Sequence, residues 1–325
     1  MRFNNLSYNK IIDTIARIGN IATSYGMYTS FVVCIQPHLT RTTRTKQYLL
    51  HKHNVIQASL EKKYEYVVQR YCRVEDNSQP DQSSPIWFFW WQGRDQMPDI
   101  VRICYESILR HAPSDRQVIF VSRENYNKFA QIPTFLLDKV ETGNSWIVAF
   151  SDFLRVCLIY EHGGLWLDAT VFVSNTISED TFSPFFSVNH DPTPYYSSDG
   201  RWTGFILGGN RGSPLFKFLR DFYIEYWRNE KFIIDYFLLD YLISIAYSRL
   251  PFARNLIDGN PFRSRQFKSL NALLNSPFDE RAYGKVISAA IFHKLSWKIE
   301  LKKSLEDGRK TFFGILLSIY GKRVV

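Results

Sequence analysis

The sequence predicts an α/β protein whose sheet is wound on both faces, preceded by a helical N-terminal extension. Three observations carry this reading. Residues 86–91 (IWFFWW) form an uninterrupted apolar run, as expected of a strand buried on both faces. A helix-length segment, residues 98–111, separates it from a second such run, residues 117–122 (QVIFVS); strand, helix and strand at this spacing begin a doubly wound sheet. Further along, residues 150–161 read as a helix stopped by Gly163-Gly164, and residues 165–173 (LWLDATVFV) read as the next strand.

The elements follow in order. Ile11, Ile15, Ile18 and Ala22 recur at helical spacing, and a second helix covers about residues 56–74, so residues 1–80 form the helical extension. The polar stretch 75–85 (EDNSQPDQSSP) is the expected linker. The main domain then spans residues 81–300, with Pro98 in the first turn of its first helix. Residues 183–189 and 203–208 read as strands, residues 215–229 as a helix opened by Ser213-Pro214, and about 234–247 as another helix. Residues 301–325 form a tail containing FFGILLSIY (312–320), flanked by Lys310, Lys322 and Arg323. This tail reads either as an interfacial anchor on an anionic membrane or as a helix packed on the core.

Composition narrows the function classes. With 45% hydrophobic residues in 325, the chain has ample material for a core. Aromatics make up 16%, which suits flat ligands such as sugar rings and bases as well as a core. The net charge of +9 points to a polyanionic partner. Without a zinc-finger spacing, an RNP-like motif or a basic recognition helix, nucleic acid is excluded in favour of a phosphorylated substrate or an anionic membrane. The four cysteines, Cys34, Cys72, Cys104 and Cys157, show no CxxC pair and hence no zinc signature; they read as reduced thiols of a cytoplasmic protein. No signal-peptide h-region and no run of about 20 apolar residues is present, so the expected location is the cytoplasm, peripheral to the inner face of the membrane.

The chemistry concentrates in residues 150–173. Asp152 and Arg155 are three apart on a helix and share a face. The glycine pair turns the chain into a strand carrying Asp168 in its far half, and ligands of open α/β sheets bind beyond the carboxyl ends of strands. Two carboxylates and an arginine on one crevice suit a nucleotide diphosphate: Arg pairs with phosphate oxygens, and carboxylates accept ribose hydroxyls or hold a divalent cation.

This segment resembles the capsular polysaccharide synthesis family, which is similar to the GT32-type and toxin-type GT-A glycosyltransferases. Those show an S-D-x-x-R helix followed by GG-x-(Y/W)-x-D-x-D. Here the chain has Ser151-Asp152-Phe153-Leu154-Arg155, then Gly163-Gly164-Leu165-Trp166-Leu167-Asp168-Ala169-Thr170. The blocks IWFFWWQG (86–93), Met97-Pro98, DYFLLDY (235–241) and FHKLSWK (292–298) extend the resemblance over about residues 85–300. It implies a GT-A-like, mixed but mainly parallel sheet flanked by helices. It also implies a hexosyltransferase that moves sugar from a nucleotide-diphosphate donor to a growing capsular or surface polysaccharide, its acceptor a glycan or lipid-linked glycan. Asp152 and Arg155 would hold the donor's ribose and diphosphate, and Trp90, Trp91 and Gln92 would lie near the base. Asp168 would be the first acid of the DxD motif, and His293 would approach the metal or diphosphate. Lys294 and Lys298 would neutralise the leaving group.

One departure bears on the cofactor. Thr170 stands at the second DxD acid, usually the direct metal ligand, and a hydroxyl is a poorer Mn²⁺ or Mg²⁺ ligand than a carboxylate. Either a divalent cation is held through Asp168, His293 and the diphosphate, or Arg155, Lys294 and Lys298 replace it. Asp235 and Asp240, five apart and on different helix faces, together with Thr203, are the acceptor-side candidates. The competing functional class is a catalytically degenerate protein that binds sugar nucleotides or glycans without turning them over.

Overall fold

The computed structural model describes residues 2–39, 45–81, 83–141, 146–260, 264 and 266–321. The extension opens with α1 (Arg2–Tyr25), followed by short helical turns between Met27 and Leu39 that include a π-turn at Phe31–Ile35. Helix α2 (Lys46–Lys63) is capped by Thr45, whose hydroxyl accepts the Tyr48 backbone N–H at 3.3 Å. The single helix expected over about 56–74 instead begins ten residues earlier and breaks at Tyr64, before a short turn at Glu65–Gln69.

The main domain runs β1 (Ile86–Phe89), α3 (Asp99–His111), β2 (Val118–Val121), α4 (Trp146–His162), β3 (Gly164–Leu167), β4 (Val171–Val173), β5 (Phe185–Phe186), β6 (Ile206–Gly209), α5 (Pro214–Asn229), α6 (Leu238–Arg249), β7 (Phe292–Lys294) and α7 (Phe312–Tyr320). The central sheet has strand order β2-β1-β3-β6-β5. β1 pairs parallel with β2 and β3, β6 pairs antiparallel with β3, and β5 pairs antiparallel with β6. Four strands therefore share one direction and β6 opposes them: the sheet is mixed and mainly parallel, flanked by helices.

Strand alternation builds a core on each face. Ile86, Phe88, Leu165 and Leu167 pack toward α3 and α7, whereas Trp87, Phe89 and Trp166 pack toward α4, α5 and the extension. Both faces are covered, which is why these strands read as continuous apolar runs. The Gly163-Gly164 turn is obligatory: both residues have positive φ, and a side-chain carbon on Gly164 would sit 2.0 Å from the Pro85 carbonyl oxygen.

The strand expected over 165–173 is two strands. The Asp168 N–H reaches the Phe205 carbonyl at 3.0 Å, the Val171 N–H reaches the Asp168 carbonyl at 2.8 Å, and the chain turns out of the main sheet. β4 then pairs antiparallel with β7 in a second, two-stranded sheet. A carboxylate cannot continue into an apolar sheet interior without partners, and the break places it at the strand end. The helix expected from about 234 begins at Leu238, so Asp235 lies before it and Asp240 lies in its first turn.

The tail helix α7 buries Phe312, Phe313, Leu316 and Tyr320. Arg110 of α3 donates to the Ile319 carbonyl at 3.2 Å and lies over the Tyr320 ring, so this helix is packed on the core. Lys322 and Arg323 lie outside the described residues. Among the described residues, no helix is long and apolar enough to cross a membrane.

Candidate active site

β1 and β3 run side by side with Phe88 opposite Leu167, so the chain leaves both at the same edge: β1 into Trp90-Trp91-Gln92, β3 into Asp168. Helix α4 carries Asp152 and Arg155 to that edge, and the register of β7 against β4, Lys294 opposite Val171, brings Lys294 from the second sheet.

These side chains meet at Asp168. Its Oδ1 accepts from Arg155 Nη2 at 3.0 Å and from the Trp166 indole N–H at 2.9 Å; its Oδ2 accepts from Lys294 Nζ at 2.8 Å. Arg155 Nη2 also lies 3.1 Å from Asp152 Oδ1, and its Nη1 donates to the Gly204 carbonyl. The guanidinium sits over the Trp166 ring, which fixes its plane. Its Nε is buried with no hydrogen-bond partner among the described residues. Asp240 reaches the same place from α6: Trp202 donates to its Oδ1 at 3.1 Å. A side-chain carbon at Gly204 would lie 3.4 Å from Arg155 Nη1 and 3.9 Å from Asp240 Oδ2, so this glycine separates the two groups.

Three carboxylates thus face two cations, and their proton affinities diverge. Burial pushes Asp168 up, but Lys294 and Arg155 outweigh it and hold its carboxyl below the usual value. Burial pushes Asp152 up to about 6, opposed by Arg155. Burial and then the charge of Asp152 push Asp240 up to about 7. Carboxyls with affinities spread this way by one shared environment are a common mark of a functional site.

The other expected site residues fall elsewhere. On β7, His293 points opposite to Lys294; its buried ring packs against Phe172, its Nε2 meets Ser174 Oγ at 3.0 Å, and burial lowers its pKa to about 4. Asp235 pairs with Lys52 at 2.6 Å and accepts the Phe237 N–H at 3.0 Å, outside the cluster. Thr203 is buried, its N–H bonded to Ser187 Oγ at 2.9 Å, one residue before Gly204. Trp91 stacks on Tyr126, Gln92 is exposed beside it, Trp90 meets Trp297 edge-on, and Lys298 is exposed beyond β7. Reading the sequence missed Trp166 and Trp202 as donors to these carboxylates, and Gly204 as their spacer. Their roles depend on β6 lying next to β3, and no local pattern announces that.

The donor set does not assemble a cation site. Both Asp168 oxygens are engaged by positive groups, Thr170 is buried with its carbonyl bonded to the Leu295 N–H at 2.8 Å, and His293 faces the core. Among the described residues, no group of three or more His, Cys, Asp or Glu is arranged to hold a metal.

A mixed sheet with a charged cluster at the carboxyl end of its central strand makes this an α/β protein, and that strand end is where open α/β sheets generally bind ligands. The family described as capsular polysaccharide synthesis protein matches residues 36–316, and the chain belongs to that family. Among solved structures the chain is similar to one titled "PaToxG Glycosyltransferase", with 12% identity over 74% of this chain and 94% of that chain and a TM-score of 0.38. No curated protein matches.

Proposed function

We propose that this protein is a GT-A-like glycosyltransferase that moves a hexose from a nucleotide-diphosphate sugar to a growing capsular or cell-surface polysaccharide. The observation that carries the reading is the Arg155–Asp168–Lys294 cluster with Asp152, at a strand edge in a member of the capsular polysaccharide synthesis family. Arg155 and Lys294 come from two different elements and converge within 3.0 Å of one carboxylate, an arrangement suited to gripping a diphosphate at two points. The bond broken joins the anomeric carbon to the diphosphate; the bond formed joins that carbon to an acceptor oxygen. The two cations stabilise the charge arriving on the departing diphosphate. With Thr170 in the DxD motif and His293 turned inward, these cations take the role of the divalent ion. The acceptor hydroxyl must lose a proton, and Asp240, with its affinity near neutrality, is suited to receive it. Trp90 and Trp91 flank the edge where the base would lie.

The test is donor hydrolysis with a panel of UDP- and GDP-sugars, with Mn²⁺, Mg²⁺ or EDTA, beside Asp168→Ala. Nucleotide release from one donor, unaffected by EDTA and reduced at least about 10²-fold in the variant, is the expected result. Binding without turnover in the wild type would favour the degenerate sugar-nucleotide binder, and the absence of both would sink the reading.

A lipid-linked acceptor would place the protein at an anionic membrane. In the extension Met27 and Leu39 are 78% and 68% exposed, with Tyr28 and Phe31 also outward. This tip packs on α2, where Tyr28 meets His51 at 2.8 Å. Wild-type protein should therefore sediment with anionic liposomes, and Met27→Glu combined with Leu39→Glu should not; equal sedimentation would remove the membrane from this account.

A further inference from the structure

Residues 232–237, between α5 and α6, belong to no helix or strand, so side chains rather than a ladder must satisfy their backbone. Three helices supply them. Arg17 of α1 donates to the Ile233 carbonyl at 3.4 Å and to the Ile234 carbonyl at 2.9 Å. Tyr226 of α5 donates to the Phe232 carbonyl at 3.0 Å and accepts the Ile234 N–H at 2.9 Å. Lys52 of α2 pairs at 2.6 Å with Asp235, whose other oxygen accepts the Phe237 N–H at 3.0 Å. Two of the three helices belong to the extension. Held in this way, the segment buries Ile234 and Asp235 and leaves Tyr236 65% exposed. Tyr236 lines the same small cavity as Asp152, about 190 Å³. Its hydroxyl titrates above the usual tyrosine value, from burial first and then from the charges of Asp152 and Asp168. The side chain therefore leans toward the charged cluster with much of its ring in water.

A single exposed aromatic is ordinary on a protein surface. This one is held beside the cluster by an irregular segment that three helices pin, so a ligand covering it gains apolar contact without having to order the chain beneath. Its place in the fold selects the ligand. The sheet order puts β1 and β6 on opposite sides of β3. Trp90 and Trp91 follow β1, whereas Tyr236 leads into α6, whose Asp240 lies by Gly204, just before β6. Tyr236 thus stands across the cluster from the edge assigned to the base. The group bonded to the diphosphate on that side is the hexose, and a pyranose can lay the C–H groups of one face on an aromatic ring. We infer that Tyr236 is the platform on which the donor's hexose stacks, and that Arg17 and Lys52 of the extension are positioning residues that hold this platform beside the diphosphate. The inference rests on the transferase reading and names the side chain that meets its sugar.

The experiment measures binding of UDP-glucose, UDP-galactose, UDP-N-acetylglucosamine and GDP-mannose to the full chain, beside UDP and GDP alone. The readout is the affinity of each sugar nucleotide relative to its own nucleotide. For the sugar nucleotide that wild type binds best, Tyr236→Ala should lower this ratio about tenfold and leave the affinity for the nucleotide within about twofold. Tyr236→Phe keeps the ring and should keep the ratio within about threefold of wild type. Both variants change a side chain that is largely in water, so both should melt as wild type does. Lys52→Gln should lower the ratio by about fivefold or more, and Lys52→Arg, which can still pair with Asp235, should restore it. A purely structural role for Lys52 would lower the melting temperature and leave the ratio alone. An unchanged ratio in Tyr236→Ala, or an equal loss in Tyr236→Phe, overturns the platform and keeps the transferase. A fall in affinity for UDP or GDP alone in Tyr236→Ala shows that the nucleotide lies on the ring, and also overturns it. A lowered ratio in Tyr236→Ala with none in Lys52→Gln overturns the part assigned to the extension. Failure of the wild type to bind any of the six compounds overturns the transferase reading and this one with it.

Discussion

Asp240 shows how a single buried carboxylate can cost stability and serve chemistry. Its one strong neutral donor is the Trp202 indole, while burial and Asp152 disfavour its charge. In the folded protein it titrates at about 7, against an ordinary 3.8, so between those values the folded state binds more protons than the unfolded state. Stability therefore falls as pH rises through that window, and Asp152, raised to about 6, acts in the same direction. The buried His293, lowered to about 4, acts in the opposite direction, so the contribution of Asp240 is read by comparison: between pH 5.5 and 8 the wild type should lose stability relative to Asp240→Asn. Asp240→Asn keeps an acceptor for Trp202 and removes the charge, and should stabilise the protein at pH 8 by about 1–3 kcal/mol. If Asp240 takes the acceptor proton, the same variant lowers turnover by about 10²-fold or more, and the wild-type rate falls on the acid side of about pH 7. A variant that is neither more stable nor slower would contradict both statements.

Among the secondary-structure elements, what was legible in the sequence was whatever rests on local spacing. Asp152 and Arg155 share a face because three residues make most of a helical turn, and the glycine pair had to turn the chain before the strand that ends at Asp168. Gly164→Ala should therefore cost about 3 kcal/mol or more, since it combines φ +97° with a backbone clash at Pro85; thermal denaturation of the variant is the check, and a near-native midpoint would refute the packing argument. What was not legible rests on pairing between distant segments. Whether His293 or Lys294 faces Asp168 is decided by the register of β7 on β4, and shifting that register by one residue would exchange them. The split of β3 from β4 was hidden for the same reason: LWLDATVFV reads as one strand until Phe205 of another segment takes the Asp168 N–H.

For the whole molecule, the extension is tied to the main domain rather than loosely appended. Glu230, 1% exposed at the end of α5, accepts from Ser24 of α1 at 2.8 Å and from Tyr64 at 2.9 Å, and pairs with Lys63 of α2. The stretch read as a linker is tied down too: the Ser78 carbonyl accepts from Asn210, and Arg116 donates to the Ser84 carbonyl at 3.1 Å. Glu230→Gln should lower global stability by about 2 kcal/mol, with a single cooperative transition retained in urea; a separate early transition would mean that the extension unfolds on its own. The charged cluster also spans the molecule, since Arg155 belongs to a helix on the main sheet while Lys294 belongs to the second sheet. Arg155 and Lys294 therefore behave as an exchange resin already loaded with a counter-ion, the Asp168 carboxylate. A diphosphate that displaces it exchanges one anion for another inside the protein and releases few ions to bulk. The affinity for donor should then change little with ionic strength, and a steep dependence would show that the two cations meet the diphosphate as ordinary surface charges.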